Sequence, residues 1–195
     1  NINMQKSAVL EAKHPGPPEM DRFQPTGVMI LLVPEPEIKL LFILKADVKG
    51  YPWANQMAFP GGHKDEKDLS TRDTALRELS EELGIKKENV ELIGSLGHFQ
   101  TINYKDIEAC IGIWNMKDEI CHDPSEIARV YKIPLRHLID IHKEKDFHER
   151  VMDYMELTYP YEDVVVWGVT AKIVHHLLEI VLRYQLRITN YELRR

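Results

Sequence analysis

The sequence predicts a single α/β domain, and three observations carry that expectation. Two short apolar runs, Val28 to Val33 and Ile38 to Leu44, are rich in β-branched residues and Leu and flank the turn-forming PEPE. A helical pattern over Thr71 to Leu83 stops at Gly84, a residue suited to ending helices. Near the end of the chain, Ile173, Val174, Leu177, Leu178, Val181 and Leu182 recur at helical spacing within Val169 to Leu186. With 195 residues, 44% of them hydrophobic, the chain can fill one core and is short for two.

The elements follow in order. Residues 1–25, with Pro, Lys, Glu and Met around HPGPPEM, read as an extended arm, so the domain proper is expected over 26–195. The two apolar runs then form a hairpin of buried strands, with Pro confined to the turn. YPWANQMAFPGG at 51–62 mixes aromatic and turn-forming residues and ends in a Gly pair, as expected where backbone must approach something closely. Further strands are expected at Val90 to Ile93, Ile107 to Trp114 and Ala128 to Ile133. HKEKDFHER at 142–150 reads as a solvated loop. Trp167, just before the last helix, reads as core.

Charge and composition exclude several classes. A net charge of −6 supplies no basic field for a nucleic-acid backbone. Cys110 and Cys121 have neither CxxC spacing nor a matching His pair, so no disulfide framework or structural zinc site is read from them. No apolar run reaches the length of a membrane span, and no secretion-signal pattern opens the sequence; the expectation is a cytoplasmic protein with no membrane partner. His175 and His176 are neighbours on a helix and point about 100° apart, poor geometry for ligating one metal ion as a pair.

The chemistry concentrates in Arg77-Glu78-Leu79-Ser80-Glu81-Glu82-Leu83-Gly84-Ile85. At about 100° per residue, Leu76, Leu79 and Leu83 fall within roughly 60° of one another, while Glu78, Glu81 and Glu82 share roughly 100° of the opposite side. Like charges three and four residues apart repel by a few tenths of a kcal/mol each. A hard divalent cation offsets that repulsion, since Mg²⁺ takes carboxylates together with phosphates and water. A solvated acidic face is the competing reading of these acids taken alone.

Gly62 through Ile85 resembles the Nudix box, written GX5EX7REUXEEXGU with U aliphatic. The second half agrees at every specified position. In the first half Asp68 stands where the pattern has Glu, and eight residues rather than seven separate it from Arg77. The resemblance implies an α/β/α sandwich with a mixed central sheet, and hydrolysis of a diphosphate linkage with Mg²⁺ or Mn²⁺. It implies Glu78, Glu81 and Glu82 as metal ligands, with the carbonyl of Gly61 or Gly62 adding another. It also implies that Arg77 orients the carboxylates and that Glu81 or Glu82 helps to activate water. Glu126, in DPSEIARVYKIPL, is a candidate for a further catalytic acid. A homodimer fits the resemblance, because Nudix enzymes often pair.

Phe59-Pro60-Gly61-Gly62 and Val166-Trp167-Gly168-Val169-Thr170-Ala171 resemble the coenzyme A pyrophosphatase branch. That branch carries an upstream signature near LRxHxGQ, of which Gln56 alone is present. The resemblance therefore implies a small nucleoside diphosphate derivative, coenzyme A or a relative, with ADP-ribose or a nucleoside diphosphate sugar as the alternative. Candidate substrate contacts are Lys45 for phosphate, Trp53 for a base, Gln56, and Phe99 and Tyr104 beside an expected loop. A silent nucleotide-binding module of the same fold would be expected to have lost part of its acidic helix, and all three glutamates are present.

Overall fold

The structure is a computed structural model that describes residues 1–192 other than 20, 35, 51–53 and 154. In chain order it contains α1 (Ile2–Glu11), β1 (Gln24–Val33), β2 (Lys39–Lys45), β3 (Met57–Ala58), β4 (Gly61–His63) and α2 (Thr71–Leu83). A 3-10 turn (Lys87–Asn89) leads to β5 (Val90–Gln100), β6 (Lys105–Trp114), β7 (Ile127–Pro134) and α3 (Leu135–Glu144). A small hairpin, β8 (Tyr159–Tyr161) and β9 (Val164–Val166), precedes α4 (Gly168–Glu192).

Seven strands form one mixed sheet. Its main path runs β3-β2-β1-β6-β5, with β4 also paired to β1 and β7 to β2. β1 and β6 are parallel from Gln24↔Lys105 to Leu32↔Ile113, and the other pairings in the sheet are antiparallel. Alternation along the central strands gives each face its own core. Met29, Leu31, Leu41, Ile43 and Cys110 pack against Ala75, Leu79 and Leu83 of α2. Ile30, Leu32, Leu40, Phe42 and Ile111 lie on the other face, with α1, α3 and α4. This is the α/β/α arrangement that the resemblance implies.

The N-terminal segment differs from the extended arm expected of it. Residues 2–11 are helical, because Pro and Gly begin only at Pro15 and the segment before them carries none. The Asn1 side chain accepts from Asn3 N–H as an N-cap, and Gln5, Ala8 and Val9 at i, i+3 and i+4 are buried. Beyond the helix the chain is irregular, and the Pro15 carbonyl accepts from His98 N–H, fastening it to β5.

The 142–150 run also differs from its expectation as a solvated loop. His142, in the last turn of α3, is fully buried and Phe147 is buried, so only part of the run faces water.

Candidate active site

Local signals set α2 in place. The Ser70 side chain caps its start by accepting from Asp73 N–H, and Gly84 closes its end in the left-handed region at φ 70°. Leu79 and Leu83 anchor the helix on the sheet, which directs Glu78 and Glu82 toward the β4 edge. The lack of a side chain at Gly62 leaves room for the Glu78 carboxylate, which a Cβ would push aside.

Cations already intersperse the acids. Arg77 Nη1 donates to Glu78 Oε1 and Glu81 Oε2, both at 2.8 Å, so these two carboxylates converge on one nitrogen. Lys45 Nζ donates to Glu82 Oε1 at 2.7 Å, and Gly61 N–H donates to Glu82 Oε2 at 3.0 Å. The three glutamates therefore divide into a pair on Arg77 and a single acid on Lys45. The donor set is hard oxygen throughout, as a divalent ion of the Mg²⁺ type requires. Glu78, Glu81 and Glu82 are the residues of this cluster that could hold such an ion, with Arg77 keeping the first two side by side.

Burial drives the Glu82 carboxyl above its ordinary value; Lys45 and the Gly61 N–H pull it down by less. Arg77 is fixed from its other side by Asp68, with Nε to Oδ1 at 3.0 Å and Nη2 to Oδ2 at 2.9 Å. This forked pair, with further bonds from Asp65 N–H and Thr74 Oγ1, holds Asp68 far below the usual carboxylate range. The early acid of the box, despite its one-residue displacement in sequence, thus reaches Arg77.

A cavity of about 470 Å³ shares Gly61, Gly62 and Lys45 with this cluster. It runs from β1 and the 101–103 loop to the first turn of α4. Lys45, Lys105 and Lys172 all line it. Burial lowers Lys105, and the charge of Lys45 lowers it further, so the two ammonium groups feel each other. His63 lines the same space within 3.1 Å of Thr26 Oγ1, lowered by burial and then by Lys105. Val28, Met57 and Trp167 provide apolar wall, and Trp167 is 40% exposed rather than core.

The sequence-derived candidates are dispersed unevenly. Arg77, Glu78, Glu81, Glu82, Gly61 and Gly62 are brought together as described. Lys45 and Gln56 line the cavity, Lys45 with its ammonium on Glu82. Trp53 lies outside the described residues. Glu126 is exposed; its carbonyl accepts from Ala46 N–H, which brings it to the end of β2 beside Lys45. Phe99 and Tyr104 are not placed along the cavity. The Phe99 ring meets the His176 ring edge-on at 5.7 Å, on the α4 side, and Tyr104 lies beneath the Arg22 guanidinium at 4.1 Å. Sequence reasoning missed Lys105, Lys172, His63 and the lining role of Trp167. Alternation along β6 was the available signal for Lys105, whose even-numbered neighbours Asp106 and Glu108 face the opposite way.

Comparison with known proteins agrees with this geometry. The NUDIX domain family matches residues 24–170. The Nudix hydrolase NudL of Photorhabdus laumondii is 28% identical over 172 residues, covering 86% of this chain and 91% of its own. The protein of the same description from Yersinia pestis is 31% identical over 164 residues, covering 80% and 78%. Among solved structures, a MutT/nudix family protein from Enterococcus faecalis superposes with a TM-score of 0.52 at 20% identity, covering 86% of this chain and 69% of that one, a likeness of fold.

Proposed function

Because the chain belongs to the Nudix hydrolase family, we propose that it cleaves the diphosphate linkage of a nucleoside diphosphate derivative, coenzyme A or a close relative, using Mg²⁺ or Mn²⁺. One observation carries this reading: the acidic helix and the Gly61–Gly62 strand open onto a cavity lined by three lysines and an exposed Trp. A diphosphate fits the junction of the two, its charge shared between ammonium groups and a metal ion. The apolar wall and Trp167 suit a nucleoside.

Divalent ions are general to hydrolases of this family. Bound among Glu78, Glu81, Glu82 and the carbonyl of Gly61 or Gly62, the ion supplies charge neutralisation and a lowered pKa for water. The chain's own residues do the positioning. Arg77, locked by Asp68, holds Glu78 and Glu81 in register. Lys45 and Lys105 orient phosphate oxygens, and Gln56 supplies a neutral polar contact. Glu82, poised by burial, or Glu126 beside the end of β2 accepts the proton from the attacking water.

A panel of coenzyme A, ADP-ribose and nucleoside diphosphate sugars, assayed with Mg²⁺ and with Mn²⁺ and resolved by product, tests the reading. Release of a nucleoside bisphosphate, which keeps the ribose phosphate, and a phosphorylated remainder from coenzyme A is expected. Cleavage of a sugar nucleotide with coenzyme A untouched would move the substrate to the other class. Binding of every compound with no cleavage under either metal would refute hydrolysis.

A further inference from the structure

On the opposite face of the sheet from α2, three side chains that the proposed reaction does not use converge on one point, and a fourth, His148, joins them through Glu179. His142 lies in the last turn of α3, His148 in the segment after it, and His175 and Glu179 sit one turn apart on α4. Ligand atoms of His142, His175 and Glu179 all lie within 4.8 Å of one another, the only such trio among the described residues. Glu179 Oε1 is 2.8 Å from both His142 Nε2 and His148 Nδ1. We propose that this cluster is a structural zinc site, with His142, His148, His175 and Glu179 as its ligands.

The donor types favour zinc over the hard ion of the α2 face. Three imidazoles and one carboxylate suit a borderline cation in a closed tetrahedral site, whereas Mg²⁺ prefers oxygen. Four ligand atoms at about 2.0–2.1 Å from zinc stand roughly 3.4 Å apart, so closing the site draws the trio together and swings His148, already on Glu179 Oε1, toward the same ion. The rings have the corresponding spacing: centroids of His142 and His175 are 4.9 Å apart, and those of His142 and His148 are 6.2 Å apart.

The surroundings orient each ligand. His175 Nε2 lies 3.1 Å from the Phe147 carbonyl, which can only accept, so the neutral ring keeps its lone pair on Nδ1. His142 Nδ1 lies 2.9 Å from Tyr159 Oη. Without metal, the Nε2 proton of His142 points to Glu179. On binding, that ring takes the other tautomer, its proton moves to Nδ1 and is accepted by Tyr159 Oη, and Nε2 turns its lone pair to the ion. The count of protons is unchanged. The second carboxylate oxygen of Glu179 is held by Arg183 Nη2 at 3.2 Å and by Glu149 N–H at 3.2 Å, the outer support a ligating carboxylate commonly has. A cavity of about 600 Å³ between α1 and α4, lined by His175 and Glu179, provides the way in. An ion here would tie α3, the segment after it and α4 together.

The test uses the full chain carrying Glu78→Gln and Glu82→Gln, so that the acidic helix does not contribute, stripped with chelator and titrated with ZnCl₂ or CoCl₂. One Zn²⁺ per chain is expected by elemental analysis, with a raised thermal midpoint and the visible bands of tetrahedral Co²⁺. Adding His175→Ala or His148→Ala, rings that are both partly exposed, should weaken binding by at least about 10-fold while far-UV circular dichroism shows the fold retained. A chain that takes up no zinc would overturn the proposal. So would undiminished binding in both folded histidine variants. Failure of the hydrolysis assay leaves this result untouched, since uptake and Co²⁺ spectra need no substrate.

Discussion

Glu82 and Glu179 are hidden to the same degree, with side chains 10% and 9% exposed, yet their carboxyls are driven in opposite directions. For Glu82 burial wins, because one Lys45 ammonium and one Gly61 N–H do not outweigh it. For Glu179 burial also pushes upward, but bonds from His142, His148 and Glu149 N–H together exceed it, and Arg183 adds a further donor. Burial pushes both carboxyls upward, and the donors at the oxygens act against it. The under-supplied carboxylate sits on Lys45 and the Gly61 N–H, two residues that line the cavity, where an acid ready to accept a proton or a cation has work to do. The well-supplied one ties three segments of the far face together.

The largest expected effect breaks the comparison on the α2 side. Glu78→Gln and Glu82→Gln should each lower turnover by about 10²-fold or more under saturating Mg²⁺. Glu82→Gln should cost no stability at neutral pH. Its folded pKa lies above the unfolded 4.5, so the folded chain binds more protons through that window and the native carboxylate loses stability as pH rises. Steady-state rates and urea midpoints measured together check both halves; unchanged turnover in both variants removes the helix from the reaction.

Glu179→Gln should show the reverse. Removing the charge weakens the bonds from His142, His148 and Arg183 and should cost about 1–3 kcal/mol in the metal-free chain. Because the folded pKa of Glu179 lies below 4.5, its contribution is fully present above that value and is lost as pH falls through the folded pKa. Urea midpoints of the two proteins should therefore separate at neutral pH and approach each other in acid. Midpoints that coincide at neutral pH would show the donors to be spectators.

Glu126→Gln sharpens the assignment of the proton acceptor, with a loss of about 10-fold expected in kcat. A loss exceeding that of Glu82→Gln would locate the base at Glu126 rather than on α2. An unchanged kcat would leave Glu82 as the base.

The difference between the two regions is also a difference in what the sequence discloses. α2 was readable because its evidence is local: a polar cap, leucines at helical spacing, a terminal Gly and three acids lie within 15 consecutive positions. The far cluster joins His142 to Glu179 across 37 residues, and no periodicity spans that gap. Its neighbourhood was also disguised. HKEKDFHER has the composition of a solvated loop, yet His142 at the last turn of α3 and Phe147 in the segment after it are buried, the latter with its carbonyl against His175 of α4. Averaging composition over residues 1–25 concealed α1 in the same way, since the helix-breaking residues occupy only its second half. Adjacent His175 and His176 do diverge as helix geometry dictates, one toward Phe147 and the other toward His14 at 3.1 Å, but His175 finds its partner at i+4.

Lys45 allows the finest adjustment. Its ammonium is the largest influence holding the Glu82 carboxyl down against burial, and Glu78 pushes the same carboxyl up. Lys45→Met removes the downward influence and leaves burial nearly intact, so the Glu82 pKa should rise further. If Glu82 must be ionised to accept a proton, the acid limb of the kcat/KM profile should move to higher pH in this variant, with the alkaline limb in place. Glu82 bears on that limb directly, whereas lost phosphate binding would lower kcat/KM at every pH without displacing it. A profile that falls uniformly would assign Lys45 to the substrate alone; a displaced acid limb would assign it to tuning the acid as well.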